Sequence, residues 1–196
     1  MPIDASHFTL KSLVSIQAGY PFRGRIPCVQ SGAVQVVQMK DIRPAASVDW
    51  PQVMRTELPS ARSADWLAAG DLLFVGRGAQ FYAGCVDEPP GRAVCSPHIF
   101  HLRVQPEAKV LPRFLAWLIN QPPCQKQLHL AAEGSNQLSI RRGGLEQLKL
   151  RIPSFADQHR IVALADLAQR EQECLLQLIQ NRGAQLEALA EELSAD

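Results

Sequence analysis

The chain has 196 residues, of which 46% are hydrophobic and 20% are charged, as expected for one globular domain with an additional element. No apolar run approaches the roughly 18 residues of a membrane span, and residues 1–10 lack the pattern of a signal peptide, so we expect a cytoplasmic protein without a membrane segment. The charge is uneven: residues 1–152 contain 17 Lys+Arg and 11 Asp+Glu, whereas residues 153–196 contain 3 and 8, which predicts two partners of different kinds.

The first third of the chain alternates between short apolar segments and loops. Residues 10–16 form a short apolar segment, and residues 19–25 (GYPFRGR) form a turn-rich loop that carries two aromatic residues and two arginines. The valine-rich residues 33–39 predict a strand. Residues 44–64 contain three prolines and predict a long irregular loop.

Two further strands are predicted before helical periodicity begins. Residues 71–75 are a short apolar run between two glycines, and residues 100–104 alternate between apolar and polar side chains. Residues 76–82 (GRGAQFY) form the loop after the first of these strands. His98 and His101 have no cysteine or acidic residue at ligand spacing, and the five cysteines contain no CxxC pair, so we expect neither a metal site nor a disulfide framework.

Helical periodicity begins at Pro112, a residue suited to the first turn of a helix, and this helix is expected to stop before Pro122 and Pro123. A second helical segment covers residues 124–132, and residues 134–137 form a polar turn. The segment 148–152 again resembles a strand.

The acidic C-terminal part, residues 153–196, predicts one long amphipathic helix that begins after the N-cap Ser154, with Asp157 in its first turn. About 36 residues at roughly 1.5 Å each form a rod of about 54 Å, which exceeds the needs of a domain of this size. Its apolar stripe is therefore expected to pack on a helix of a second copy or of another subunit. The stripe consists of Ile161, Leu164, Ala168, Leu175, Leu178, Leu186 and Leu189.

Glu171, Arg182 and Gly183 interrupt this stripe. A kink or break near residues 181–183 is one consequence of the interruption. The alternative to a straight rod is a helical hairpin that turns there and folds back on the domain.

Enzyme signatures are absent from the sequence: there is no GxxxxGK[ST], GxSxG or HExxH, and residues 76–78 lack the third glycine of a dinucleotide-binding loop. Residues 120–124 (NQPPC) differ from the Asn/Asp-Pro-Pro-aromatic tetrapeptide of amino-methyltransferases by an inserted glutamine and a cysteine in place of the aromatic residue. A helix terminator explains them better. We predict a non-enzymatic chain without a cofactor of its own.

The order of these segments resembles one half of a type I restriction-modification specificity subunit. The resemblance covers the whole chain and rests on the similar motifs GYPF at 19–22, GDLLFVGRG at 70–78, LPRFLAWLI at 111–119, EGSNQ at 133–137, LKLRIP at 148–153 and QHRI at 158–161. Family members of full length contain two target recognition domains and two spacer helices, whereas this chain has one of each and no internal repeat.

The resemblance implies an α+β fold. Residues 1–152 would form a target recognition domain with a mixed, curled β-sheet and short helices. Residues 153–196 would form one long C-terminal α-helix that serves as spacer and dimerisation element. It implies sequence-specific binding of double-stranded DNA, and a methyltransferase (modification) subunit as the partner that binds S-adenosylmethionine and carries the catalysis. A half-length chain then forms a homodimer or pairs with another half-subunit through the helix.

Loop residues that can contact phosphates or base edges are the candidate site, because arginine and lysine bind phosphate and guanine, and asparagine and glutamine bind adenine. Arg77 is the strongest candidate, because flanking glycines would allow its backbone to approach DNA; a buried arginine that braces the strand is its alternative. The candidates are Tyr20, Arg23, Arg25, Lys40, Arg77, Gln80, Tyr82, Ser135, Asn136, Gln137, Arg141 and Arg142.

Three other functions are compatible with these observations. The chain could use its helix to join or inhibit a methyltransferase complex without reading DNA. It could be a nuclease or methyltransferase fragment, which the absent motifs disfavour. It could also be a degenerate gene fragment, although the helix cap, the strands and the long helix are all intact and consistent with one fold.

Overall fold

A computed structural model describes residues 5–44, 47–58, 64–134 and 137–194. Most of the predicted elements are present in it. The strands are β1 (Ala5–Thr9), β2 (Val14–Ala18), β3 (Val34–Val37), β4 (Met54–Thr56), β5 (Leu72–Val75), β6 (Tyr82–Cys85), β7 (Ala93–Cys95), β8 (Ile99–Val104) and β9 (Lys149–Pro153). The α-helices are α1 (Pro112–Ile119), α2 (Pro122–Ala131), α3 (Arg142–Glu146) and α4 (Phe155–Ser194), and 3-10 turns cover Leu10–Ser12, Met39–Asp41 and Trp50–Gln52.

The centre of the domain is a four-stranded antiparallel sheet in the order β2-β8-β5-β6. Strand β5 is buried on both faces: Leu72 and Phe74 belong to one hydrophobic cluster, and Leu73 and Val75 belong to another. This explains why its sequence is a continuous apolar run rather than an alternating one.

Two smaller sheets complete the β-structure. Strands β4, β3 and β7 form a mixed sheet, in which β3 pairs antiparallel with β4 and parallel with β7. Strands β1 and β9 pair antiparallel and join the two ends of the domain. The predicted α+β class is confirmed, but the strands are divided among three separate sheets where one mixed, curled sheet was expected, because the two faces of the central sheet each need their own cover.

The helices cover one face of the central sheet and the mixed sheet covers the other. Phe114, Leu115 and Ile119 of α1 and Leu128 of α2 are buried in the larger cluster with Leu72 and other sheet residues. Val37, Ala93 and Cys95 of the mixed sheet pack in the second cluster. The loops at the sheet ends therefore lie on a scaffold that is packed from both sides.

Helix α4 is continuous from Phe155 to Ser194, so both a break near residues 181–183 and a hairpin at that point are wrong. Its interior contains no proline, and Gly183 alone does not interrupt the backbone hydrogen bonds of a helix. Ser154 is the predicted N-cap: its Oγ accepts a hydrogen bond from the Asp157 N–H at 3.2 Å and donates one to the Asp157 carboxylate at 2.7 Å. None of the helices in the described residues is long and apolar enough to cross a membrane.

Gln158 fixes the start of α4 to the domain. Its side chain is fully buried, its Nε2 donates to the carbonyls of Lys109 and Pro153 at 3.0 Å each, and its Oε1 accepts from the Leu111 N–H at 2.8 Å. One helical turn later, Ile161 and Val162 pack against the main core. The direction in which α4 leaves the domain is therefore set by buried polar and apolar contacts together.

The remaining differences from the sequence predictions have local causes. The 44–64 segment, predicted to be irregular, contains the Trp50–Gln52 turn and strand β4, because β3 needs a second partner. Pro122 and Pro123 do not simply end a helix; they open α2, whose first turn needs no N–H from them. Strands β1, β6 and β7 and helix α3 were not predicted, and β2 was expected only as part of a short apolar segment, because all of these elements are short.

Candidate nucleic-acid interface

Several of the candidate loops meet at one end of the central sheet. Val75, the last residue of β5, lies opposite both Ile99 and Tyr82, and Ala18 at the end of β2 lies opposite Phe100. Residues that follow β2 or β5, or precede β6 or β8, must therefore emerge at the same end of the sheet. We call this end, with the loops at residues 19–26, 38–40, 76–82, 96–98 and 137–142, the loop face.

A groove of about 470 Å³ joins three of these loops. The two loops that carry Lys40 and His98 are held together, because the Ser96 N–H donates to the Val37 carbonyl at 2.9 Å. The exposed Lys40 lies on its wall, and Arg23 and Arg25 flank wall residues in the neighbouring loop. The groove is lined by Phe22, Gly24, Ile26, Gln38, Met39, Lys40, Ser96, Pro97 and His98.

The GYPF motif fixes the first loop against the sheet edge. The Gly19 N–H donates to the Ile99 carbonyl at 3.0 Å, and the Tyr20 N–H donates to the Cys95 carbonyl at 2.8 Å. A Cβ at Gly19 would collide with the backbone of Ser96, so a residue without a side chain is needed there. The Tyr20 and Phe22 rings pack 4.8 Å apart and are partly buried. The motif thus positions the exposed arginines at 23 and 25.

Arg77 is exposed, which removes the alternative of a buried brace. Its Nε donates to Gln137 Oε1 at 3.0 Å, so the structure brings together two candidates that are sixty positions apart. Gly78 adopts φ +115°, a conformation that favours glycine. Gly76 was expected to let the backbone approach DNA, but it has a packing role instead. A Cβ there would press on the Phe74 and Phe100 rings, so this glycine permits close core packing.

The other candidates divide into exposed and internally bonded residues. Gln80 is exposed, whereas Tyr82 is half-buried and its hydroxyl donates to the Met39 carbonyl at 2.9 Å, next to Lys40. Arg141 pairs with Glu133 at 2.8 Å, and Arg142 pairs with Glu146 at 2.7 Å. Ser135 and Asn136 lie outside the described residues.

The exposed cations of the loop face differ in their availability for DNA. Within the part of the chain that the structure describes, no carboxylate pairs with Arg23, Arg25, Lys40 or Arg77. Each is a surface cation on a loop that is anchored at both ends. The ion pairs of Arg141 and Arg142 are largely exposed, and such pairs exchange readily for phosphate contacts.

Sequence reasoning missed His98, which shares the groove with Lys40. It was assigned a surface or structural role, because only the pairing of β5 with β8 shows that residues 96–98 lie at the same end as the other loops. A His within a loop that precedes a strand gave no signal by itself.

A buried carboxylate ties the start of β5 to β8 near the sheet end opposite to the loop face. Asp71 accepts from Arg103 at 2.7 Å on both oxygens, from His101 Nε2 at 2.7 Å and from the Ala68 N–H at 2.8 Å. Burial alone would raise its pKa, but the hydrogen bonds from Arg103, His101 and Ala68 outweigh this effect and lower the pKa to about 2. The aspartate is therefore ionised and structural, and its partner His101 has the structural role expected of it.

Asn120, the first residue of the NQPPC segment, is also structural. Its side chain accepts from the Ala83 N–H at 2.9 Å and donates to the Ala83 carbonyl at 2.8 Å. These bonds join the end of α1 to strand β6, so the side chain is not presented to a ligand. Among the described residues, no group of three or more His, Cys, Asp or Glu side chains could hold a metal ion.

Helix α4 meets the domain at the sheet end opposite to the loop face. A cavity of about 440 Å³ there is lined by Cys85 at the end of β6, by Val86 after it, and by His159 and Val162 of α4. Beyond its first turns the helix projects away, and its apolar stripe is uncovered: Leu164 is 68%, Leu175 54%, Leu178 53% and Leu186 68% exposed. Ala168 and Leu189 are exposed too, and Ile161 is the one stripe residue partly covered by the core.

No protein-family model matches this sequence. Likewise, no curated protein is similar to it in sequence. Similarity is found instead among solved structures. The type I restriction-modification S subunit from M. genitalium has a TM-score of 0.59 and 14% identity over 91% of this chain, and the HsdS subunit from Thermoanaerobacter tengcongensis has a TM-score of 0.59 and 15% identity over 87%.

A third similar chain comes from a structure that concerns complex assembly and conformational transition of the type I R-M system, with a TM-score of 0.65 and 18% identity over 96% of this chain. The chain spans less than half the length of these proteins, covering 42%, 38% and 44% of them respectively. The predicted fold is confirmed: the chain is folded like one half of a type I specificity subunit, with a single α+β domain and a single long helix.

Proposed function

Because this chain is folded like half of a type I specificity subunit, we propose that it is a non-catalytic, sequence-specific DNA recognition subunit of a type I restriction-modification methyltransferase complex. Residues 1–152 are the target recognition domain and residues 153–196 are the spacer and dimerisation helix. The observation that carries the proposal is the loop face, where cationic and amide side chains from four separate loops share one end of a rigid sheet.

The loop face has the two kinds of residue that sequence-specific DNA binding needs. Arg23, Arg25 and Lys40 are exposed cations beside the groove, suited to phosphate oxygens, which give affinity without sequence information. Arg77 and Gln137 hold each other by a side-chain hydrogen bond and can present paired donors and acceptors to base edges. Tyr82 serves as a positioning residue, because its hydroxyl holds the backbone next to Lys40.

Helix α4 supplies the second half of the function. Its uncovered leucines are suited to pair with the same helix of a second copy or with that of another half-subunit. Two domains joined in this way read two half-sites, and a two-fold homodimer reads a split palindrome. A methyltransferase subunit binds S-adenosylmethionine and carries out the methylation, so this chain needs no cofactor.

Binding to double-stranded DNA by the Arg77→Ala variant tests the loop face. Loss of a bidentate base contact predicts roughly 1–3 kcal/mol weaker binding to the preferred site and relaxed specificity at one position. Lys40→Ala should weaken binding to all sequences about equally and reduce its salt dependence. The matched control is Arg170→Ala, which removes one cation from the exposed surface of α4. Equal effects of all three substitutions would contradict a reading role for the loop face.

The exposed stripe favours a second candidate function: a protein that joins or inhibits a methyltransferase complex through α4 and reads no DNA. The two functions are distinguished by variants. If loss of Arg77 and Lys40 leaves DNA binding of the assembled complex unchanged, while removal of the helix abolishes assembly, the second function is correct.

A further inference from the structure

The two-stranded ribbon of β1 and β9 has a basic outer side that is separate from the loop face. Side chains alternate between the two sides of a strand, and in the register of this pair His7 lies opposite Arg151 and Thr9 lies opposite Lys149. His7, Lys149 and Arg151 are exposed, whereas the intervening Leu150 points to the other side and belongs to the main core. We call the side that carries His7, Lys149 and Arg151 the ribbon face.

Hydrogen bonds at the strand edge hold these side chains close together. The side chain of Gln127 accepts from the Lys149 N–H and donates to the Lys149 carbonyl, at 3.0 Å each. The backbone groups of Lys149 therefore point away from β1, so the facing pair of His7 and Arg151 is of the non-hydrogen-bonded kind, in which side chains lie closest. Gln127 also ties α2 to the ribbon, which brings the exposed Lys126 beside it.

The positive charge of this surface is not neutralised within the part of the chain that the structure describes. Four exposed cations on and beside the ribbon have no ion pair with a carboxylate there: Lys11, Lys126, Lys149 and Arg151. The acidic residue nearest to Lys149 in sequence, Glu146, is engaged by Arg142 at 2.7 Å. Like charges that lie side by side on a strand pair destabilise it. A bound polyanion would remove this repulsion.

Helix α3 joins the ribbon face to the loop face. Arg142, in the loop face, is the first residue of α3, and β9 begins three residues after the helix ends. Four helical steps of about 1.5 Å and five extended steps of about 3.3 Å place Arg151 at most about 23 Å from Arg142. This distance corresponds to about seven base pairs at roughly 3.4 Å each. Contacts of the ribbon face with a duplex held at the loop face would therefore lie within one turn of the DNA helix.

We propose that the ribbon face binds the phosphate backbone of duplex DNA beside the sequence that the loop face reads; this inference rests on the DNA binding included in the proposed function. Lysine and arginine on phosphate oxygens give affinity without sequence information. Duplex DNA is the partner that this surface fits, because the ribbon adjoins the loop face through α3 and its exposed side chains are basic. The ribbon face thus adds affinity, while the loop face alone supplies specificity.

Replacement of both cations of β9 tests this contact, with binding of the full-length chain to a labelled duplex measured by fluorescence anisotropy at several salt concentrations. Lys149→Ala with Arg151→Ala removes two phosphate contacts and should lower the slope of log binding constant against log salt by about 1.8. The double variant should bind every sequence more weakly by the same factor and still select the wild-type sequence. Lys149→Arg with Arg151→Lys is the matched control, because it retains both charges and should bind as wild type does.

The length of the duplex separates a flanking contact from a contact within the recognised sequence. When the selected duplex is shortened to the recognised bases alone, wild-type affinity should fall to that of the double alanine variant for the longer duplex. The double alanine variant should bind both lengths equally. A variant that selects a different sequence would overturn the assignment of the ribbon face to the backbone.

The remaining outcomes judge the ribbon face and the proposed function separately. A chain that selects one sequence, with affinity and salt slope unchanged in the double alanine variant, would overturn the ribbon contact and leave the proposed function intact. Binding that depends on Lys149 and Arg151 without any sequence preference would support the ribbon contact and contradict the proposed function. A ribbon face that binds polyglutamate and not duplex DNA would fit an acidic protein and overturn the inference, and a wild-type chain that binds no duplex would overturn both.

Discussion

Replacement of Gln158 tests whether one buried amide holds the long helix to the domain. This side chain makes three hydrogen bonds with backbone groups, two to carbonyls and one from an N–H. A buried hydrogen bond contributes about 1 kcal/mol net, and a backbone group left without a partner costs at least as much. Gln158→Leu is therefore expected to lower the free energy of unfolding by about 3 kcal/mol, although leucine is a good helix former.

Urea denaturation of the full chain measures this change, with circular dichroism to show that the helical content of the folded variant is retained. The matched control is Gln169→Leu in the same helix, whose amide has one exposed hydrogen bond, to Glu173; it should change stability by less than about 0.5 kcal/mol. If Gln158→Leu is within about 1 kcal/mol of wild type, the helix is held by the apolar contacts of Ile161 and Val162 instead, and the reasoning is refuted.

Other predictions concern the buried groups. The folded-state pKa of Asp71 is about 2, below its ordinary 3.8, so its ionised form stabilises the fold above pH 3.8 and this contribution is lost as the pH falls towards 2. Asp71→Asn should lower the free energy of unfolding by about 2 kcal/mol at pH 7 and make stability less dependent on pH below 3.8. An unchanged pH dependence of stability in this acid range would contradict the prediction. At pH 8 a thiol reagent should modify the exposed Cys28 and Cys174 rapidly. The buried Cys85, Cys95 and Cys124 should react only after unfolding, because burial raises their pKa values to about 12, 12 and 11. Fast reaction of all five thiols in the folded protein would refute the described core.

Local signals were sufficient for the elements with strong patterns. The apolar run of β5, the helix that starts at Pro112 and the Ser154 cap were all predicted, because each depends on residues close in sequence. The interruption of the stripe near Arg182 gave a wrong expectation of a break, since periodicity does not show whether a charged residue ends a helix or is exposed within it.

Non-local pairing accounts for what the sequence did not reveal. The hydrogen bond between Arg77 and Gln137 joins two predicted site residues, but only the folded chain shows that they meet. His98 joins the groove through the register of β8 against β5, and the Asp71 cluster forms across strands 30 residues apart. Such contacts depend on sheet order, which no local motif specifies.

Selection from a library of random double-stranded DNA by the purified full-length protein, near physiological salt, tests the central claim most directly. We expect enrichment of one split, palindromic sequence, and loss of that enrichment when Arg77 is replaced by alanine but not when Arg170 is. Recovery of unenriched sequences, or of the same motif from both variants, would contradict sequence recognition by the loop face.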